Sequence, residues 1–482
     1  MSGVEVRPRL LLATTSVVAL TVAVLQTGVV PILGVISRQL GASTVDVSWA
    51  VTANLLAAVA ATPLIGRLAD LFVKKRVLLA VLAVVLAGSV LAATTSSLPL
   101  LILARVLQGV SFALYPIGVS ILREELPADR LMSSMAVLSG VLGFGGGAGL
   151  VVTGLLMRGD ASYHRVFWFT VVFTVAVILA VLAVVPARHR TGDGTVDWLG
   201  AAGLAAGLSA LLLVITQGPT WGWVSWRTAV SLVIATTVLI GWWRWEQRCR
   251  VPLVSTGMLS RRPILLTNIA TVSVGMGLYF AFLGLTDFVQ APAESGYGFG
   301  ASVLQASVQF LLPGALAGFI TATASGRYID RFGARPILLT GGAIGVVGFA
   351  ILAVALLPDE PARAWQVIVG AVLVNAYISL AYGAIPALVV AEVESSETAV
   401  ATSMNAIARS IGSSVSAAVV AVLLSRGHTG YPPESSFTVI FALGAVTGVI
   451  AMALIAMSRP RLRQIRSVEE LAESRAMNHE WG

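Results

Sequence analysis

Gly66-Arg67-Leu68-Ala69-Asp70, followed by Lys74-Lys75-Arg76, and Gly326-Arg327-Tyr328-Ile329-Asp330, followed by Arg331 and Arg335, are two copies of one charged cluster 260 residues apart. Each copy closes a long apolar run. A charged joint repeated at the same place in two hydrophobic halves points to a membrane protein built by duplication, with hinges between its helices.

Composition supports that class. Hydrophobic residues make up 57% of the chain and charged residues 11%, with a mean hydropathy of +0.90, whereas a soluble domain carries about a quarter charged residues. The net charge of +8 does not indicate nucleic acid, because the Lys and Arg residues fall in short loops rather than on a folded basic patch. The single cysteine, Cys249, excludes an internal disulfide and a cysteine-based metal site. No phosphate-binding loop and no metal-ligand cluster can be found, so the reading is of a protein without cofactor or enzymatic activity.

Fourteen nearly uncharged runs of about twenty residues, the length a helix needs to cross a hydrocarbon core of about 30 Å, are expected near 10–37, 47–68, 77–95, 98–122, 133–157, 165–186, 197–217, 227–245, 263–290, 301–323, 336–357, 364–390, 398–425 and 437–458. They are continuously apolar, which favours helices over barrel strands. The first run lacks a small-residue cleavage site and is read as a retained helix. Of the 31 Lys and Arg residues, 23 fall on one set of loops and termini and 6 on the other, with Arg105 and Arg409 inside spans. The positive-inside rule then places both termini in the cytoplasm. Trp221, Trp223 and Trp226 at one end of the inserted pair, with Trp242, Trp243 and Trp245 at the other, fit interfacial belts, although substrate-binding aromatics are the alternative.

With Arg105-Val106-Leu107-Gln108-Gly109 in the fourth span, Trp49-Ala50-Val51-Thr52 in the second and Asn405-Ala406-Ile407-Ala408-Arg409 with Gly412 in the thirteenth, the doubled cluster resembles the fourteen-helix drug:proton antiporter branch of the major facilitator superfamily. The resemblance implies an all-α membrane fold of two six-helix bundles with two inserted helices. The expected divisions are 1–190 for the first bundle, 191–262 for the linker with its two extra helices and basic connector, 263–458 for the second bundle, and 459–482 for a cytoplasmic tail. It further implies a cell-membrane secondary transporter, and it gives weight to polar residues on spans 1, 4, 9 and 12. The chain departs from the branch at Val73, where a glycine is usual, at Gln26, where an aspartate is common, and at Leu150, where the fifth-span signature has proline beyond Gly145 and Gly149.

The residues suggest roles of their own. Asp70 and Asp330 end their spans where a carboxylate can pair with arginine or hydrogen-bond the amino end of a neighbouring helix. Gly66, Arg67, Asp70, Arg76, Gly326, Arg327, Asp330 and Arg331 are therefore read as a conformational latch. Gly145 and Gly149 suit close helix packing, and Asn405 and Arg409 are assigned to interhelical contacts, with a functional role left open. An arginine at mid-membrane costs about 2.5–3.5 kcal/mol on insertion scales, so Arg105 is expected in the bundle interior or a wet cavity near Gln108. Among acidic residues only Asp287 lies within a span, near its outer end, which makes it the candidate proton acceptor. Gln26, Asn54, Arg105, Gln108, Tyr279, Asp287, Gln309, Asn375, Tyr377 and Tyr382 form the expected substrate and proton pathway. A cavity with buried arginine and almost no carboxylate suits neutral or anionic amphipathic molecules. The expected partners are a small-molecule substrate, the lipid bilayer and, where transport is coupled, protons, with no nucleic acid and a monomeric state. Export by alternating access is the leading reading. Metabolite or lipid transport, or a non-transporting receptor or scaffold, are the alternatives.

Overall fold

The computed structural model describes residues 7–158, 161–188, 195–356, 362–425 and 431–458. The start of the expected linker, 191–194, and the tail from 459 lie outside these residues. Among the described residues, fourteen helices are long and apolar enough to cross a membrane: α1 Pro8–Leu40, α2 Asp46–Leu71, α3 Lys74–Thr94, α4 Leu98–Glu125, α5 Ser133–Leu156, α6 His164–Val184, α7 Trp198–Trp221, α8 Trp226–Arg248, α9 Arg262–Gln290, α10 Ala306–Phe332, α11 Ala334–Val354, α12 Ala364–Ala391, α13 Thr398–Leu424 and α14 Glu434–Met457. Their starts follow ordinary capping chemistry. Ser43, Asp197 and Ser225 accept a backbone N–H three residues on, and Pro8, Pro99 and Pro263 occupy first-turn positions where no N–H is needed.

The duplication is visible in the packing. In the first bundle the principal contacts join α1 to α4, α5 and α6, α4 to α2 and α3, and α3 to α6. The same six pairs recur in the second bundle with every label raised by eight. The seams between bundles obey the same relation: α2 packs on α13 as α10 packs on α5, and α4 meets α13 as α12 meets α5.

The inserted pair α7–α8 breaks this symmetry. Helix α7 lies on both α2 and α13, so it roofs one seam. The connector beyond α8 folds under it, with Leu253, Val254 and Met258 fully buried against Val59 of α2 and Val400 of α13. Trp242 belongs to this core at 7% exposure and donates Nε1–H to Glu246 at 3.0 Å. It is therefore a packing residue, whereas Trp223, Trp226 and Trp245 are exposed as an interfacial belt requires. Burial pushes the Asp197 carboxyl up, but hydrogen bonds from the Gly200 N–H, the Trp245 Nε1–H, the Cys249 thiol and the Leu199 N–H together hold it below the usual carboxylate range.

The two charged clusters are helical. Gly66 to Asp70 form the last turns of α2, and α10 runs through Asp330 to Phe332, well past the expected end at 323. The connections that follow differ. Gly333 alone turns the chain into α11 at φ +83°, a left-handed conformation open to glycine, whereas the first turn takes two residues at negative φ, Phe72 extended and Val73 at φ −59°. Val73 in place of glycine thus costs one extra residue of loop and no backbone strain.

Candidate functional site

Between the bundles lies a cavity with about 1110 Å³ of empty space including its mouth. Helices α1, α4, α5, α9, α10, α12 and α13 all contribute to its wall. The contributions of α5 (142–150) and α9 (278–285) come from the middle and the halves remote from Asp70. The cavity therefore lies on the far side of the contact that Asp70 makes.

That contact ties the bundles together. Asp70, 2% exposed, accepts the backbone N–H of Ala399 at 3.1 Å and of Val400 at 3.0 Å. These are among the first amides of α13, which have no partner within their own helix and present the positive end of its dipole. Gly66 lets α2 come this close, since a Cβ there would overlap the Ser403 hydroxyl and stand 3.0 Å from Ala399 O. Arg123, at the end of α4, reinforces the joint. It donates to Val393 O at 2.9 Å, to Glu394 O at 3.2 Å and to the Thr398 hydroxyl. Sequence reasoning counted Arg123 only as a loop charge, because a basic residue at a span end carries no mark of its partner.

The second copy is built differently. Gly326 packs against Ser133 of α5 so closely that a Cβ added at Gly326 would stand 2.7 Å from the serine Cβ, the counterpart of Gly66 on α13. Asp330, however, is exposed, as are Arg327 and Arg331, and Arg331 stacks on Phe332 at 5.2 Å. Arg76 is exposed as well. The duplicated cluster therefore supplies two glycine contacts but one buried carboxylate.

Helix α5 meets its neighbours through glycines on three sides. Added Cβ atoms at Gly145 and Gly149 would lie 2.7 Å from Ala23 Cβ and 2.5 Å from Thr27 Oγ1 on α1. At Gly147 one would lie 2.7 Å from Ala315 of α10, and at Gly140 it would overlap Ala322. Gly143 and Gly146 open onto the cavity. Gly145 and Gly149 thus face α1, within the first bundle.

The cavity wall holds Gln26, Tyr279, Asn375 and Tyr382 of the expected pathway. Gln26 donates to the Tyr279 hydroxyl at 3.2 Å, which joins α1 to α9 across the seam. Asn54, Arg105, Gln108 and Tyr377 are not on the wall. Arg105, 1% exposed, donates from Nε to Ala50 O at 3.2 Å and from Nη1 to Leu25 O at 3.2 Å and Gln108 Oε1 at 2.7 Å. Asn54 donates to Arg105 O, and Gln108 continues the chain to Ser89. Leu25 lies in the last turn of the first helical segment of α1, Pro8–Thr27, where carbonyls lack intrahelical donors. Arg105 thus lies in the interior of the first bundle against Gln108, away from the cavity wall. Tyr377 packs on Gly345 of α11. Gln309 and Asp287 are exposed and off the wall. Two residues beyond Leu285 turn Asp287 by about 200° from the cavity stripe.

The cation on the wall is Arg409. Asn405 donates to Asn268 Oδ1 at 2.9 Å and Thr271 Oγ1 at 2.8 Å on α9. Arg409 contacts other helices as well, 4.9 Å from the ring centre of Tyr382 on α12 and 5.7 Å from that of Tyr115 on α4. No carboxylate lines the cavity among the described residues; Thr27, Ser379, Ser410 and Ser413 supply hydroxyls. Tyr115 was missed in the sequence, where a lone tyrosine in an apolar span gives no signal.

Two duplicated bundles around a central cavity, on whose wall no carboxylate stands among the described residues, define a many-span membrane protein. A family model described as the Major Facilitator Superfamily matches residues 15–417 and 267–479, and the chain belongs to that superfamily. It is 32% identical over 347 residues to an uncharacterized MFS-type transporter of Mycobacterium tuberculosis, covering 70% of this chain and 48% of that protein. It is 29% identical over 357 residues to a tetracenomycin C resistance and export protein of Streptomyces glaucescens, covering 74% and 64%. The chain thus spans about half to two thirds of the length of these relatives. A uridine/deoxyuridine transporter of Lactococcus lactis is 26% identical, covering 74% and 73%. These relatives are named as transporters or as an export protein, and none as an enzyme. The crystal structure of the human organic anion transporter MFSD10 (TETRAN) has the same fold, with a TM-score of 0.63 at 14% identity, covering 93% of this chain and all of that one.

Proposed function

We propose that the protein is a secondary transporter of the cell membrane that exports small amphipathic neutral or anionic compounds by alternating access. The observation that carries this reading is the cavity between the bundles, with the Asp70 contact joining the bundles on one side of it. A site at the junction of two symmetric bodies becomes reachable from either side when those bodies rock. The absence of a carboxylate from the described wall, and the presence of Arg409, favour neutral and anionic substrates over cations. The Lys and Arg distribution puts the Asp70 side in the cytoplasm, so the state described opens away from it. Export is supported by the Streptomyces glaucescens relative, whose name includes export. The uridine/deoxyuridine relative supports a second reading, movement of neutral polar metabolites, for which the amides Gln26 and Asn375 are suitable.

The test is flux in proteoliposomes. Carboxyfluorescein and a neutral dye of similar size should cross with saturable kinetics, and ethidium should cross more slowly. Saturable flux confined to ethidium would overturn the substrate assignment, and no protein-dependent flux of any dye or of uridine would overturn the transport reading.

A further inference from the structure

Arg409 does not have the surroundings of a packing residue. Among the described residues its guanidinium has no hydrogen bond and no ion pair, although it carries five N–H donors in a fixed fork. Its positive charge rests against the faces of Tyr382 and Tyr115, an attraction that compensates a cation but leaves its donors unused. The backbone beneath it is fixed, because Gly275 of α9 allows an approach so close that a Cβ there would overlap Arg409 O. Tyr115 is fixed too: its hydroxyl shares a 2.7 Å hydrogen bond with Ser139, whose Oγ donates to Met135 O.

Tyr115 belongs to α4 in the first bundle, whereas Arg409 and Tyr382 belong to α13 and α12 in the second. The contact of Arg409 with Tyr115 therefore crosses the seam, and Arg409 and Tyr382 also face the cavity.

We infer that Arg409 and Tyr382 form the recognition locus for a planar aromatic substrate bearing a carboxylate, and that the bound anion draws the guanidinium off Tyr115. This rests on the reading of the cavity as the transport site. The guanidinium fork matches a carboxylate with two parallel hydrogen bonds, and a ring face of Tyr382 gives the aromatic body a stacking partner. At hydrogen-bonding distance the pairing of opposite unit charges is stronger than the attraction of a cation to a ring. Occupancy thus removes one of the contacts that join the bundles, which links substrate binding to their separation.

The experiment compares anthraquinone-2-carboxylate with its uncharged isostere, anthraquinone-2-carboxamide, by calorimetric titration of the protein in lipid nanodiscs. The wild type should bind the carboxylate at least about tenfold more tightly, the step expected from one charge-assisted pairing. Arg409→Gln should erase that preference by weakening carboxylate binding far more than carboxamide binding, and Arg409→Lys should retain part of it. In a Cys249→Ser background, the carboxylate but not the carboxamide should speed maleimide labelling of Ser403→Cys, at the Asp70 seam. Equal affinities in the wild type, binding of neither compound, or a preference that survives in Arg409→Gln would overturn the recognition locus. Unchanged labelling would overturn the link to bundle separation. Dye flux without carboxylate preference would sink this inference and leave the transport reading standing, and preference without flux would do the reverse.

Discussion

Replacing Asp70 with asparagine should release the joint between α2 and α13. The carboxylate accepts two α13 amides at 3.0 and 3.1 Å while 2% exposed. Asparagine keeps one acceptor oxygen, loses the charge, and turns an N–H₂ donor toward an N–H donor. Hydrogen bonds to a charged group contribute about 1.5–3 kcal/mol, and a charge at a partly buried helix end contributes up to about 2 kcal/mol. Because the two effects overlap at one site, the net loss should be about 2–3 kcal/mol, a population shift of about 30- to 150-fold away from this state. The assay is maleimide labelling of single cysteines in the Cys249→Ser background. Ser403→Cys, buried against Gly66, should label faster, and Ser410→Cys on the cavity wall should label more slowly from the opposite side. Rates within twofold of the parent at both positions would refute the argument that Asp70 holds the bundles together.

Two further substitutions separate the cavity from its supports. Arg105→Gln should lower stability by about 3 kcal/mol, because it strands buried carbonyls and Gln108, while substrate affinity of the folded fraction stays unchanged; intact thermal stability with lost affinity would return Arg105 to the pathway. Asp287→Asn should leave flux and any dependence on a pH gradient as in the parent, since its side chain is exposed and off the cavity wall; a mutant that no longer responds to the gradient would show that protons pass through it.

The architecture was legible because insertion into a bilayer leaves few choices. Each apolar run must become a helix long enough to cross, and all fourteen do. The paired clusters announced the duplication, and Asp70 at a helix end announced a partner across the seam. The identity of the cavity cation was not legible. Insertion cost says that Arg105 and Arg409 must each be compensated, but it does not distinguish carbonyls at the end of a broken helix from two tyrosine faces. Gln108 three residues after one arginine and Asn405 four before the other look equivalent along the chain. Only the fold shows that Gln108 binds its arginine whereas Asn405 turns to α9. The inequality of Asp70 and Asp330 was hidden for the same reason, since burial depends on the neighbour each meets.

The glycine-faced helix α5 also bears on how such a protein can change its chemistry over generations. A helix that touches others through long side chains can absorb a substitution by rotating a neighbour aside, but at its glycines α5 offers backbone to α1, to α10 and to the cavity, with nothing there to rotate. Bulk added on its first two sides meets another helix, and bulk added on the third fills the chamber. New ligand preferences are therefore expected to arise on α1, α9, α12 and α13, with α5 serving as the wall against which they are measured.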